Sequence, residues 1–105
     1  MAEEKLVSFL KDGKDWARMK TSLPGVFILK LPSYKNNPPR LAVELNPPDK
    51  LGNPKKKRGL ILRSSQELEE FSRIFQIEKL SSLLKTIDKV NPQTKTEAEE
   101  EVFEI

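Results

Sequence analysis

Four consecutive cations, Lys55, Lys56, Lys57 and Arg58, stand directly before the apolar residues 60–62 and are called the basic tetrad below. The surrounding stretch KLGNPKKKRGLILR (50–63) holds six Lys or Arg residues and no acid. Such side chains contact phosphate oxygens and release counterions, so a cluster of this kind binds polyanions without reading sequence. A solvated turn or a targeting signal would also be basic, but neither requires a buried strand next to the charges.

Aromatic residues are interleaved with cations nearer the N-terminus. Trp16 lies between Lys14 and Arg18, and Tyr34 precedes a lysine. Because nucleobases stack on aromatic faces whatever their identity, this pattern is typical of a surface for single-stranded nucleic acid. Phe27 lies within the apolar run VFILKL and is more typical of a core position than of a stacking surface. The candidate contact residues are Trp16, Arg18, Phe27, Lys30, Tyr34, Lys55, Lys56, Lys57, Arg58 and Arg63.

Periodicity predicts the elements that carry these residues. Glu3 to Asp12 has apolar residues at helical spacing and is expected to form an amphipathic helix that ends near Gly13. VFILKL (26–31), LAVEL (41–45) and RGLILR (58–63) are predicted strands, while WARMKT (16–21) fits either a helix or a strand. The connections are too short for helical crossovers, so the sheet is expected to be antiparallel.

The LAVEL segment alternates in polarity. Its three larger apolar residues fall on one face of the strand, and Ala42 and Glu44 fall on the other. The sequence therefore predicts a half-buried strand.

At Ser64 the hydrophobic period becomes helical. Ser64 to Glu67 matches a capping box, in which Ser64 accepts from the Glu67 amide and the Glu67 side chain reaches back. Apolar residues then recur up to Asn91-Pro92, and a break near residues 76–77 is left open. The helix at about 77–91 shows an apolar seam of about two heptads, which could meet a second subunit or pack on its own sheet. The candidate oligomerisation residues are Leu80, Leu83, Leu84, Ile87 and Val90.

The predicted class is therefore α+β, a small antiparallel sheet of three to four strands flanked by an N-terminal helix and C-terminal helices. Residues 1–92 are expected to form the binding domain, and residues 93–105 a disordered acidic tail. Residues 1–92 carry 18 Lys and Arg against 11 Asp and Glu, whereas residues 97–104 carry five Glu and no base. This split indicates a polyanionic partner for the domain.

The tail ends in apolar residues at 102, 103 and 105. It resembles the acidic tails with which bacterial single-stranded-DNA-binding proteins dock partner proteins, so a protein partner is one interpretation. Competition with nucleic acid for the basic face and a solubilising role are the others.

Composition argues against several function classes. The chain has no Cys and no His, which removes thiol chemistry together with the commonest general base and metal ligand. We expect no enzymatic activity and no cofactor; a Mg²⁺-dependent nuclease using Glu44 and Asp49 is the remaining catalytic alternative. No apolar run approaches the ~20 residues of a membrane span, and a cytoplasmic protein is expected. The charged composition fits a thermophile.

Three segments resemble a known family: DWARMKTSLPGVFILKLP (15–32), ELNPPDKLGNPKKKRGLILRS (44–64) and the helical ending from residue 67 to residue 92. They are similar to the archaeal ThermoDBP and ThermoDBP-related proteins, which bind single-stranded nucleic acid. The resemblance implies a cleft that draws on Trp16, Arg18 and Phe27, with the basic tetrad and Arg63 on its margin. It also implies assembly through the C-terminal helix, although the short helical ending leaves the subunit number open.

Together these features predict a non-enzymatic protein that binds single-stranded DNA or RNA with little sequence preference and assembles into a dimer or a higher oligomer. The alternative is a protein-interaction scaffold that acts through the C-terminal helix and the acidic, apolar tail. The choice between DNA and RNA, the site size and the pathway are left open.

Overall fold

A meander of four strands forms the centre of the fold in the computed structural model, which describes residues 2–92. The elements in chain order are α1 (Ala2–Asp12), β1 (Arg18–Lys20), β2 (Val26–Leu31), β3 (Arg40–Leu45), β4 (Leu60–Leu62), α2 (Ser65–Phe75) and α3 (Glu78–Val90). Each strand pairs antiparallel with the next. This architecture confirms the predicted α+β class and shows that the ambiguous segment after Asp15 supplies a strand. The expected disorder of residues 93–105 lies outside the described residues.

The chain divides into two compact units, Met1–Glu69 and Glu70–Ile105. The first holds α1, the sheet and the beginning of α2. The second holds the rest of α2 and, beyond it, α3.

The register of the sheet decides which side chains share a face. Phe27 of β2 lies opposite Glu44 of β3, and Leu29 lies opposite Ala42. Arg18 of β1 lies opposite Leu29, so all these side chains share one face, here called face A. The intervening residues of β2 and β3 point to the other face, face B.

Face A is the more deeply buried face at the centre of the sheet. Leu29, Leu31 and Ala42 form its apolar cluster, and Ile61 packs against them. Glu44 lies on the same face and is fully buried, whereas Val43 on face B is exposed. The predicted half-buried strand is present in β3, and its more buried side carries Ala42 and Glu44 rather than the three larger apolar residues, because the Glu44 carboxylate has partners in the interior that compensate its burial.

The helix boundaries agree with the capping signals. Ser64 Oγ accepts a hydrogen bond from the Glu67 amide at 3.1 Å, as predicted. The Glu67 carboxylate accepts from the amide of Arg63 at 2.7 Å, one residue earlier than the capping box implies. A helical break near residues 76–77 is present, since α2 ends at Phe75 and α3 begins at Glu78.

Candidate nucleic-acid interface

The basic tetrad lies in the connection between β3 and β4, which is an ordered loop. The Lys55 amide donates to the Pro47 carbonyl at 2.9 Å, joining the two arms of the loop. At the tip, one oxygen of the Asp49 carboxylate accepts from the amides of Leu51 at 2.9 Å and Asn53 at 2.8 Å. These bonds give the proline-rich segment a defined path although it has no regular secondary structure.

Glu44 anchors the end of this loop to the sheet. Its carboxylate has an exposed fraction of 0% and accepts from Arg18 Nε at 2.6 Å and Nη2 at 3.1 Å. It also accepts from the Gly59 amide at 2.7 Å. A Cβ at position 59 would lie 2.1 Å from the Leu45 carbonyl oxygen, so this close approach of two backbones requires glycine.

Asn46 and Arg18 hold the backbone of the tetrad itself. The buried Asn46 amide donates to the Lys56 carbonyl at 2.8 Å and accepts from the Lys56 amide at 3.0 Å. Arg18 Nη2 donates to the Lys57 carbonyl at 3.1 Å. These contacts join the edge strand β1 and the end of β3 to the loop that leads into β4, the other edge strand.

The four side chains of the tetrad are exposed. Within residues 2–92, none of them forms an ion pair with a carboxylate. The protein therefore fixes the backbone of the tetrad through Asn46 and Arg18 and leaves its four exposed side chains without a carboxylate partner in the described part of the chain.

The net effect of the surroundings of Glu44 is to lower the pKa of its carboxyl group. Burial raises its pKa, but the hydrogen bonds from Arg18, Gly59 and Asn46 and the positive charge of Arg18 act in the opposite direction and prevail. Its pKa consequently lies below the ordinary value of 4.5, and the group is ionised at neutral pH.

Trp16 lies beside the tetrad with an exposed fraction of 45%. The guanidinium carbon of Arg58 lies 4.4 Å from the centre of the indole ring, a cation–π geometry. The backbone of Trp16 is left-handed, with φ of 67°, and its amide donates to the Lys30 carbonyl at 2.7 Å. This conformation costs a bulky residue ~1–2 kcal/mol, and strain of this kind clusters at functional sites.

Two of the candidate contact residues lie in the interior. Phe27 has an exposed fraction of 2%, and the Arg18 guanidinium carbon lies 5.7 Å from the centre of its ring. Lys30 has an exposed fraction of 7%, and its ammonium donates to the Gly13 carbonyl at 2.7 Å. In this structure neither side chain offers a free surface to a ligand. The Phe27 ring packs against Arg18, and Lys30 connects the end of α1 to the sheet.

The other two candidates lie elsewhere. Tyr34 is exposed in the turn between β2 and β3, at the opposite end of β3 from the loop that carries the tetrad, and the Lys35 ammonium lies 5.3 Å from its ring centre. Arg63 lines a groove on face B. The structure therefore brings together Trp16, Arg18 and the tetrad, and places Tyr34 and Arg63 outside this group.

The groove on face B is a second feature of the first unit. It is open and has a volume of about 550 Å³. Its walls are aliphatic residues of α1, the sheet and α2, and its polar margin consists of Arg63, Ser64 and Ser65. Among residues 2–92, no aromatic residue lines it, so the apolar groove and Trp16 are separate features rather than one cleft.

Glu44 and Asn46 are the two site residues that the sequence reasoning missed as anchors. The available signal was an acid flanked by apolar residues in β3, with an arginine in the segment that forms β1, two strands away in the sheet. Glu44, one of the two acids of the nuclease alternative, accepts hydrogen bonds from Arg18, Asn46 and Gly59. In the described part of the chain, no cluster of three or more possible metal ligands occurs.

Fold and site define a small α+β protein that presents an anchored basic loop and an exposed tryptophan on an antiparallel sheet. Comparison of the chain with protein-family models, curated proteins and solved structures found no match. The resemblance to the ThermoDBP proteins accordingly stays a prediction. None of the described helices has the length and apolar character needed to cross a membrane.

Proposed function

We propose that this protein binds single-stranded nucleic acid, DNA or RNA, with little sequence preference and without catalysing a reaction. The observation that carries the proposal is the anchoring of the basic tetrad: Arg18 and buried Asn46 hold its backbone, buried Glu44 holds the adjacent Gly59 amide, and none of its four charges is ion-paired with a carboxylate within residues 2–92. A loop that only solvates a turn has no need of such an anchor.

Electrostatics favours a polyanion as the ligand. Four adjacent like charges repel one another, and fixing their backbone limits how far they can move apart. A chain of phosphates relieves this repulsion and releases its own counterions, which gives affinity that is independent of sequence and sensitive to salt.

The exposed ring of Trp16 favours single-stranded rather than duplex nucleic acid as the ligand. Stacking of a base on an aromatic side chain contributes ~1–3 kcal/mol, and it requires a base that is free to leave its neighbours. A partly exposed cation–π contact such as that of Arg58 contributes less, ~0.5–1 kcal/mol. An unpaired base is therefore the stronger partner for this ring.

The α3 helix supports assembly with a second copy of the chain. Leu83, Leu84, Ile87 and Val90 are exposed on it, and Leu80 is partly exposed. We place the oligomerisation surface here. The same exposed residues are the observation that favours the second candidate function, a scaffold that binds another protein through α3.

Fluorescence anisotropy of labelled strands tests the proposal. Matched single-stranded DNA, single-stranded RNA and duplex are titrated at about 50 mM and about 200 mM salt, while the emission of Trp16, the single tryptophan, is followed in parallel. We expect single strands to bind more tightly than duplex, affinity to fall with salt, and Trp16 emission to be quenched.

Charge reversal supplies the matched control. A variant with all four tetrad residues replaced by Glu is expected to lose binding. A variant of equal net charge, with Lys5, Lys11, Lys79 and Lys89 replaced by Glu, is expected to retain most of it. Equal weak binding of all three nucleic acids, with Trp16 emission unchanged, would contradict the proposal and favour the scaffold.

A further inference from the structure

The contact between Arg58 and Trp16 has a feature that a phosphate-binding arginine does not require. The guanidinium covers the indole at 4.4 Å from its centre, on the ring that a nucleobase would use. A guanidinium is planar and stacks on aromatic faces as a base does. In this conformation the Arg58 side chain occupies the position on the indole ring where a base would stack.

The backbone on both sides of Arg58 is anchored. The Lys57 carbonyl accepts from Arg18 at 3.1 Å, and the Gly59 amide donates to Glu44 at 2.7 Å. Movement of the Arg58 side chain therefore does not require movement of the loop. The long, exposed side chain can leave the ring by rotation about its own bonds.

We propose that Arg58 occupies, in the free protein, the position on Trp16 that an unpaired base takes in the complex, and that binding exchanges the two. The displaced guanidinium then contacts a phosphate of the same strand. This inference rests on the proposed function and adds to it a defined base site and a defined role for one residue.

The exchange explains how the site would select single strands without reading sequence. Every base has a π face that can replace the guanidinium, so base identity matters little. A base within a duplex is already stacked between its neighbours and must first be extruded, which costs free energy. A cation on a partly exposed ring is held less strongly than a stacked base, so the exchange proceeds toward the complex.

Two single variants separate this role from that of a simple phosphate contact. Lys57→Ala removes one exposed cation of the tetrad and leaves Trp16 covered. Arg58→Ala removes one cation and uncovers Trp16. Each is expected to reduce the slope of log affinity against log salt for single strands by about 0.7. Lys57→Ala should bind more weakly than the parent at every salt concentration tested, and Arg58→Ala should match or exceed the parent at high salt.

The free protein gives a second readout. Quenching of Trp16 emission by acrylamide, without nucleic acid, should increase in Arg58→Ala and stay unchanged in Lys57→Ala. The thermal unfolding midpoint of each variant checks that it is folded. Arg58→Lys, which keeps the charge and covers the ring less, is the second variant: it should keep the parent's salt slope and bind at least as tightly.

The outcomes are distinct. Suppose that single strands bind the parent and that, at each salt concentration, Arg58→Ala and Lys57→Ala reduce the affinity by equal factors. Arg58 is then only a phosphate contact, and the inference is overturned. Tight binding that leaves Trp16 emission unchanged also overturns it. Absence of single-strand binding by the parent is a different result, which overturns the proposed function and the inference together.

Discussion

The Arg18 guanidinium on β1 donates two hydrogen bonds to the fully buried carboxylate of Glu44 on β3, from Nε at 2.6 Å and from Nη2 at 3.1 Å. This pair spans β2 and joins an edge strand to a central strand of the sheet. The same arginine donates to the Lys57 carbonyl, so one ion pair stabilises the sheet and positions the basic loop.

Removal of the Glu44 charge should destabilise the fold. Glu44→Gln leaves the Arg18 guanidinium without its counter-charge. It also replaces one of the two carboxylate oxygens, which accept from Arg18 and from the Gly59 amide, with an NH2 group that cannot accept a hydrogen bond. Loss of one partner of a fully buried pair costs ~3–5 kcal/mol; because the Arg18 side chain is 27% exposed, we expect about 2–3 kcal/mol. Urea unfolding measures this change.

Asp49→Asn is the matched control for that substitution. It also neutralises one acid, but Asp49 is exposed and the asparagine side-chain oxygen can still accept from the two amides at the loop tip. We expect a change within about 0.5 kcal/mol. Equal effects of the two substitutions would show that Glu44 is not an anchor.

The stability of the protein should depend on acid pH through Glu44. Its pKa is lowered in the folded state, so the unfolded chain binds the proton more readily. The stabilisation is therefore complete above the ordinary pKa of 4.5 and is lost as the pH falls through the lower folded value. Unfolding free energies between about pH 7 and about pH 3 should fall more steeply for the parent than for Glu44→Gln. Parallel curves would contradict this assignment.

Lys30 should contribute to stability and not to binding. Lys30→Met removes the donor to the Gly13 carbonyl and leaves that carbonyl without this partner, so we expect a loss of ~1–3 kcal/mol in unfolding free energy. Because the ammonium is buried, affinity for single strands should change little at temperatures where the variant is folded.

Lys57→Ala is expected to have the opposite effect to Lys30→Met, on binding and not on stability. Its side chain is exposed while its backbone carbonyl, which Arg18 binds, is retained, so stability should be unchanged and affinity reduced. If Lys30→Met weakened binding as much as Lys57→Ala, Lys30 would contact the ligand after all.

Substitutions of Trp16 should change stability and binding in different ways. Trp16→Ala keeps the left-handed backbone strain, whereas Trp16→Gly relieves it, so the glycine variant should be the more stable of the two by up to ~1 kcal/mol. Both should lose the ~1–3 kcal/mol of base stacking, measured by anisotropy with single strands. Trp16→Phe, which retains an aromatic face, should recover part of the affinity. Unchanged binding by all three variants would exclude Trp16 from the interface.

The α3 surface should control assembly. Leu84→Lys together with Ile87→Lys places two charges among exposed apolar residues, and we expect it to convert an oligomer into a monomer in sedimentation equilibrium. Ser81→Lys with Ser82→Lys, which adds the same charge at exposed polar positions of the same helix, is the control. A parent protein that is monomeric at all concentrations would contradict the oligomer proposal.

The helices and strands were predictable because their signals are local. The 2-residue and 3.6-residue periods, the capping box at Ser64 and the prolines that interrupt both periods all lie within a few residues of the elements they define. Short connections then indicated an antiparallel sheet. The segment after Asp15 stayed ambiguous because β1 has only three residues, and its strand character depends on pairing with β2.

The composition of the candidate site was also readable, but its geometry was not. The tetrad and Trp16 were identified from residue type alone, and both are exposed in the structure. Lys30 was placed among the contact residues by residue type, and Phe27 was included through its ring and the family resemblance although its apolar run favoured a core position; both lie in the interior. Residue type does not distinguish a lysine that faces solvent from one that donates to a buried carbonyl.

The sequence by itself determined the order of elements, the class of fold, the position of the positive charge and the presence of an aromatic residue near it, because each follows from local pattern and composition. The tertiary structure decided which face of β3 is buried and what holds the basic loop. Those outcomes depend on partners far apart in the chain: Arg18 and Glu44 meet across 26 residues, and Glu44 and Gly59 across 15. A carboxylate can be buried only where such partners converge, and only the folded sheet brings them together.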